Sequence, residues 1–220
     1  MALRKKLLLG SASSGRKAVM VMLGIPFDAL SSNVDEEKPS KSRNKRIEAR
    51  RITQVNARKK KEALENRIRL QGSSDAYLGL LTLDTVVWVP PGYILGKPRD
   101  VNDGEEYLRL LSGKTHYVYS AFSYTVITDG VFESPIEGFD YAKVTFRNIP
   151  EVLMKKYLTT GSYKDRAGGY AVQGEGLVLV SSVKGDFYTV VGIPVYKWLT
   201  AVEKLNPFHY SLLIDAILRL

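Results

Sequence analysis

Between Tyr77 and Val89 the chain reads YLGLLTLDTVVWV, an almost unbroken apolar run. A run of this length is too short to cross a bilayer. It suits a central strand covered on both faces, because an edge or half-exposed strand would alternate with polar residues. Asp84 sits inside it. A carboxylate in such a strand costs several kcal/mol unless a charge, hydrogen bonds or a metal compensates it. Asp84 either closes the strand as a turn cap or is a functional carboxylate, and the VVWV that follows carries the strand onward. A general base or a magnesium ligand needs such an environment, and Thr85 beside it offers a hydroxyl contact.

The start of the chain, LLLGSASSGRKAVMVMLGIPF from Leu7 to Phe27, reads as a strand, a Gly/Ser turn and a helix. Gly10, Ser11, Ser13, Ser14 and Gly15 turn tightly and expose N–H groups and hydroxyls where the following helix directs its positive end, and Arg16 adds a full charge. A phosphate fits there; an ordinary strand-to-helix turn with a serine cap has the same spelling.

With 220 residues and 45% hydrophobic content, the chain is long enough for a substantial core. It has no cysteine and only two histidines, His116 and His209. Disulfides, thiolate zinc sites, a cysteine nucleophile and a histidine-rich metal site are therefore excluded, and a reducing cytoplasmic setting is expected. The opening MALRKKLLLG imitates a secretion signal, but its apolar run is too short for one.

The net charge of +9 comes from one segment. Between Lys38 and Arg69 thirteen Lys/Arg face three Glu, leaving 19 basic and 20 acidic residues elsewhere. Such a block either neutralises nucleic-acid phosphates or forms a solvated helix face. It contains no aromatic residue for stacking bases, which weakens the first reading.

The rest of the pattern predicts a helix from Gly15 to Leu23, an extended piece from Phe27 to Leu30, and a polar loop from Asn33 to Ser42 bearing Asp35, Glu36 and Glu37. A basic helix follows over Lys45–Leu70, with Ile47, Ile52, Val55, Ala63 and Leu64 as a narrow apolar stripe. A turn at Pro90–Pro91–Gly92 returns Lys97 towards Asp84, so that both share a pocket. Val101–Leu111 reads as a helix and SGKTHYVYSAFSYTVIT as strand, turn and strand, with His116 a packed residue rather than a ligand. Asp165, Arg166 and Gln173 stand in a glycine-rich loop whose charges and amide suit phosphate or base contacts. The tail after Pro207 has a helical apolar face at Leu212, Leu213, Ile214, Ile217 and Leu218.

In order, these segments resemble the Maf family of house-cleaning nucleoside triphosphate pyrophosphatases. The family's LLLASASPRRxxLLxxLGIPF, acidic DE, helical lysine, ADTVV, LGKP, LSGxTHxV, DKAGxYGIQGxG and DYxNVVGLP are matched by LLLGSASSGRKAVMVMLGIPF, VDEE, NARKKK, LDTVV, LGKP, LSGKTHYVY, KDRAGGYAVQGEG and GDFYTVVGIP. The match reaches Trp198. It implies an α/β fold of the Maf and inosine triphosphatase kind: a long mixed sheet flanked by helices, in two lobes with a nucleotide cleft between them. One domain over residues 1–200 and a helical extension over 201–220 are expected.

The resemblance further implies cleavage between the α and β phosphates with Mg²⁺ or Mn²⁺, by a homodimer that has no membrane association. Asp84 takes the position of the proton acceptor or metal ligand, and Glu36 that of a second acidic group at the metal. Lys59 and Lys97 neutralise phosphates, Lys60 and Lys61 being alternatives to Lys59, while Ser11, Ser13 and Arg16 cradle them. Thr85 and Gln173 agree with the family group acting on dTTP and UTP. Gly15 agrees with no group, since an arginine is lost there, and DKAG has become Asp165–Arg166–Ala167–Gly168. The rival expectation is an impaired enzyme that binds nucleotide, or nucleic acid through residues 38–69.

Overall fold

A computed structural model describes residues 5–40, 42 and 44–219. Arg4, Lys41, Arg43 and Leu220, read above, lie outside them. Strand β1 (Lys6–Gly10) leads through the Ser/Gly turn into helix α1 (Ser14–Leu23), and β2 (Phe27–Ala29) returns parallel to β1. Helix α2 (Lys45–Leu70) precedes the long strand β3 (Tyr77–Val89), which turns into β4 (Tyr93–Leu95) and then α3 (Val101–Leu111). Strands β5 (Thr115–Thr128), β6 (Val131–Phe132) and β7 (Ile136–Phe146) form a meander, followed by α4 (Glu151–Thr159), β8 (Val180–Lys184), α5 (Phe187–Val191), α6 (Val195–Leu205) and α7 (Pro207–Leu218).

One eight-stranded mixed sheet organises the chain, in the order β2-β1-β3-β5-β7-β8, with β4 paired to β3 and β6 to β5. Strand β3 is central and lies parallel to β1 but antiparallel to β5. Its burial agrees with its apolar spelling: Leu80, Leu81, Thr82 and Leu83 are inaccessible.

Two large apolar cores divide the sheet. One gathers Leu7, Leu9, Val19, Leu83 and Phe122 with Trp198, Val202 and Leu213 of α6 and α7. The other packs Val87, Val118, Val144 and Phe146 against Leu108, Leu111, Met154 and Leu158 of α3 and α4. Helix α2 covers the sheet elsewhere, through Leu64 and Ile68 on Leu8 and Leu80, and through Ala49 and Ile52 on Val86 and Tyr119.

Two expectations are corrected. The segment read as strand, turn and strand is the single strand β5, whose Ser120, Ala121, Phe122 and Ser123 pair continuously with both β3 and β7. Small residues there suggest a turn, but no Gly or Pro breaks the ladder, and Ser120 donates to Thr189 O at 2.8 Å. The buried stripe of α2 is Ala49, Ile52, Thr53, Asn56, Ala57, Lys60, Leu64 and Ile68, whereas Ile47 is 63% exposed. In the C-terminal region α6 ends at Leu205 and α7 begins at Pro207, with Asn206 between them.

Helix α7 packs on its own chain. Leu213 is fully buried, and His209 bonds Tyr124 of β5 through its ring Nε2. His116 is buried beside Phe146 and Tyr170, with Nε2 at 2.7 Å from Tyr170 OH, as expected of a packed residue. Among the described residues no helix is long and apolar enough to cross a membrane.

Candidate active site

A cleft of about 750 Å³ opens along β3. The β1–α1 turn, the loop after β2, α2, β4 and the loop after α4 all contribute to its wall. Its volume lies in the usual range for small-molecule sites.

Asp84 is only 4% exposed and pairs mid-strand with Ala121, so it caps no turn. Its Oδ1 accepts from Lys60 Nζ at 2.6 Å, and its Oδ2 accepts from Asn56 Nδ2 at 3.3 Å. Burial holds the Asp84 carboxyl above the usual range, against the pull of Lys60, while the neighbouring Glu36 adds to the rise. Glu36 behaves oppositely. Burial acts to raise it, but Lys60, Lys97 and Arg16 outweigh that effect and bring it below its ordinary value. Two carboxyl groups are thereby driven apart in acidity, the arrangement that separates a proton acceptor from a permanently charged partner.

The lysine at Asp84 is Lys60, not Lys59. Lys60 Nζ bridges Asp84 Oδ1 at 2.6 Å and Glu36 Oε1 at 2.7 Å. Lys59 is turned one helical step, about 100°, away from the cleft; it is 45% exposed in its side chain and lies 3.7 Å from Glu37. Residue 60 belongs to the four-residue spacing Ile52, Asn56, Lys60, Leu64 and Ile68, all on the buried stripe. That spacing is the signal in the sequence that distinguishes it from its neighbours.

Asn56 has no place among the candidates read from the sequence, yet it holds both sides of the site. Its Oδ1 accepts from Glu37 N at 2.7 Å and its Nδ2 donates to Glu37 O at 3.2 Å, fixing the acidic loop against α2. Ser40 N donating to Glu48 Oε1 at 2.7 Å, and Arg51 pairing with Glu37 at 2.7 Å, complete the attachment.

Arg16 is buried at the floor of the cleft. Its Nε donates to Gly192 O at 3.0 Å, Nη1 to Ser11 Oγ and Leu83 O at 3.1 Å each, and Nη2 to Thr85 Oγ1 at 2.9 Å. Burial depresses its basicity, opposed by Asp84 and Glu36. Ser13 caps α1, accepting from Arg16 N at 3.4 Å, and Ser11 Oγ accepts from Ser13 N at 3.2 Å. Thr85 also bonds Ser120 at 2.8 Å. Ser11, Ser13, Arg16 and Thr85 thus form one connected wall.

Lys97, Asp165, Arg166 and Gln173 also line the cleft. The β3–β4 hairpin does return Lys97 to the cleft, but its ion partner is Asp165 at 3.9 Å and not Asp84. Arg166 Nη2 donates to Ser14 Oγ at 2.8 Å, and a side chain on Gly15 would meet Arg166 Nη1 at 2.7 Å.

Among the described residues no group of three or more Asp, Glu, His or Cys is arranged to hold a metal. The donor set is Asp84 and Glu36, and Lys60 places a cation between their oxygens. Two carboxylates with phosphate oxygens and water completing the shell suit Mg²⁺, which seldom takes an all-protein cage. The residues present therefore fit a divalent ion that arrives with a phosphate ligand.

Part of the basic segment is paired within the fold. Arg51 pairs with Glu37 and Glu48, Arg58 with Glu137, Lys60 with Glu36 and Asp84, and Lys61 and Arg69 with Glu65.

The model of the family described as "Maf-like protein" matches residues 6–205. The dTTP/UTP pyrophosphatase of Alkaliphilus oremlandii is 31% identical over 209 residues, 95% of this chain and 100% of that protein. The dTTP/UTP pyrophosphatase of Dictyoglomus turgidum is 33% identical over 96% of this chain and 100% of its own length. That of Thermus thermophilus is 36% identical over 86% and 89% respectively. With its motifs in order along the cleft and a match over nearly its full length, the chain belongs to the Maf-like protein family.

Proposed function

We propose that this chain hydrolyses nucleoside triphosphates, dTTP and UTP foremost, to the monophosphate and pyrophosphate. The observation that carries the reading is Asp84, a carboxylate buried in mid-strand at the floor of a nucleotide-sized cleft and held by Lys60 and Asn56. The three relatives described above are named for the same two substrates.

The reaction requires charge neutralisation and positioning more than covalent chemistry. Asp84, its proton affinity raised by burial, accepts the proton of the water that attacks the α phosphorus. The Pα–O bond to the β phosphate breaks, and pyrophosphate leaves with its charge balanced by Lys60 and Lys97. Ser11, Ser13 and the first N–H groups of α1 receive phosphate oxygens, while Arg16 locks that turn to β3 through Thr85 and Leu83 O. A divalent ion held by Asp84 and Glu36 supplies further neutralisation of phosphate charge when bound. Gln173, with both a donor and an acceptor on its amide, faces the base. The family resemblance supports a homodimer, and the absence of cysteine accords with a reducing, cytoplasmic setting.

Pyrophosphate release from dTTP, UTP, CTP and GTP with Mg²⁺ or Mn²⁺ tests this reading. Release from the pyrimidine substrates that falls by about a hundredfold or more in Asp84→Asn is the expected result. Binding of nucleotide without release from any of them would favour the impaired enzyme instead.

A further inference from the structure

Gly15 and Arg166 are far apart in the chain and adjacent in space. Helix α1 carries no acidic residue in its first turn, and Gly15, its second residue, is buried. Arg166 reaches over from the glycine-rich loop, bonds Ser14 Oγ at 2.8 Å and lies where a Cβ on Gly15 would come within 2.7 Å of its Nη1. Val191 Cγ1 closes the same notch at 3.3 Å. Among the described residues neither Arg166 nor Arg16 has a carboxylate within ion-pair distance, although both stand at the positive end of the helix. Asp84 and Glu36 act on the buried Arg16, whereas Arg166 stands at the positive end of α1, and an anion bound between that guanidinium and the helix N-terminus relieves their mutual repulsion.

We infer that Arg166 is a phosphate-binding arginine of this cleft, seated in a notch that exists because residue 15 is glycine. This inference deepens the nucleotide reading above and rests on it for the identity of the anion. The cation comes from the loop rather than from residue 15 of α1. Arg166 is followed by Gly168 and Gly169, both with positive φ, and the same loop continues to Gln173.

Calorimetric binding of inorganic tripolyphosphate with Mg²⁺ to the full chain separates this claim from catalysis. Arg166→Ala is expected to weaken binding by about tenfold or more, the loss of one charge-assisted contact. Gly15→Arg is expected to restore binding in the Arg166→Ala background to within about threefold of the original chain, yet to bring no gain while Arg166 is present, because the notch is filled. Gly15→Ala, which introduces a Cβ alone, is expected to weaken binding only when Arg166 is present, and serves if the larger substitution disturbs folding. Binding by Arg166→Ala within about twofold of the original, or an equal effect of the Gly15 substitutions in both backgrounds, would overturn the inference. Tripolyphosphate binding with this coupling, but no pyrophosphate released from any nucleotide, would sustain it and defeat the proposed reaction.

Discussion

Lys60 Nζ lies 2.6 Å from Asp84 Oδ1 and 2.7 Å from Glu36 Oε1, joining a strand carboxylate to a loop carboxylate through a helix side chain. The same contact supports the fold and prepares the site. It compensates a buried charge and also holds the acidic loop over the cleft.

Removing that ammonium leaves Asp84 unpaired in an apolar strand. Lys60→Met is therefore expected to lower kcat by about a hundredfold and to cost about 3 kcal/mol of stability, while Lys59→Ala changes kcat by no more than about twofold. Steady-state kinetics and chemical unfolding of the two variants check this. A larger loss in Lys59→Ala would return the role to the residue first expected from the sequence.

Asn56 clamps Glu37 through both of its amide atoms and touches Asp84. Asn56→Ala should free the loop bearing Glu36 and reduce kcat/KM by about tenfold or more. Proteolysis measures the loop directly: cleavage near Glu36 and Glu37 should quicken in the variant, and an unchanged cleavage rate would contradict the clamp.

Gly192 has a φ of 111°, and a Cβ there would stand 3.0 Å from Arg16 Nε and 3.1 Å from Thr85 Oγ1. Gly192→Ala combines backbone strain with pressure on the buried guanidinium. We expect it to destabilise the protein by about 1–3 kcal/mol and to reduce activity with it. Thermal and denaturant unfolding read the first effect, and equal stability would show that Arg16 is not held as described.

Burial pushes His116 down to about 3, and pushes His209 down to about 4 against the opposing charge of Glu133. In the unfolded chain each takes up a proton below about pH 6.5. The unfolded state then binds more protons than the folded one, so stability is lost as pH falls from about 6.5 towards 4. At about pH 5 the loss is about 2 kcal/mol for each histidine. Guanidinium unfolding at about pH 7.5 and about pH 5 measures it, and His209→Gln should remove close to half of the difference.

Much of the architecture is legible because its signals are local. The apolar spelling of Tyr77–Val89 marks the central strand, and the extents of α2 and α3 follow from Gly, Ser and charge patterns at their ends. What escapes depends on partners distant in sequence. Ser120–Ser123 resembles a turn until β3 and β7 pair with it. Asn56 has no functional spelling of its own and acquires its place only through Glu37 and Asp84. Arg16, with its charge at a helix start, reads as a phosphate contact, but Gly192 O, Leu83 O and Thr85 draw its guanidinium into the floor. The choice among Lys59, Lys60 and Lys61 was open to periodicity, since only position 60 continues the spacing from Ile52 to Ile68.

The central claim is that water activated by Asp84 attacks the α phosphorus. Hydrolysis of dTTP in isotopically labelled water, with mass analysis of both products, tests it most directly. The account predicts label in the monophosphate and none in pyrophosphate, with label uptake lost in Asp84→Asn. Label in pyrophosphate, or release of orthophosphate in its place, would contradict it.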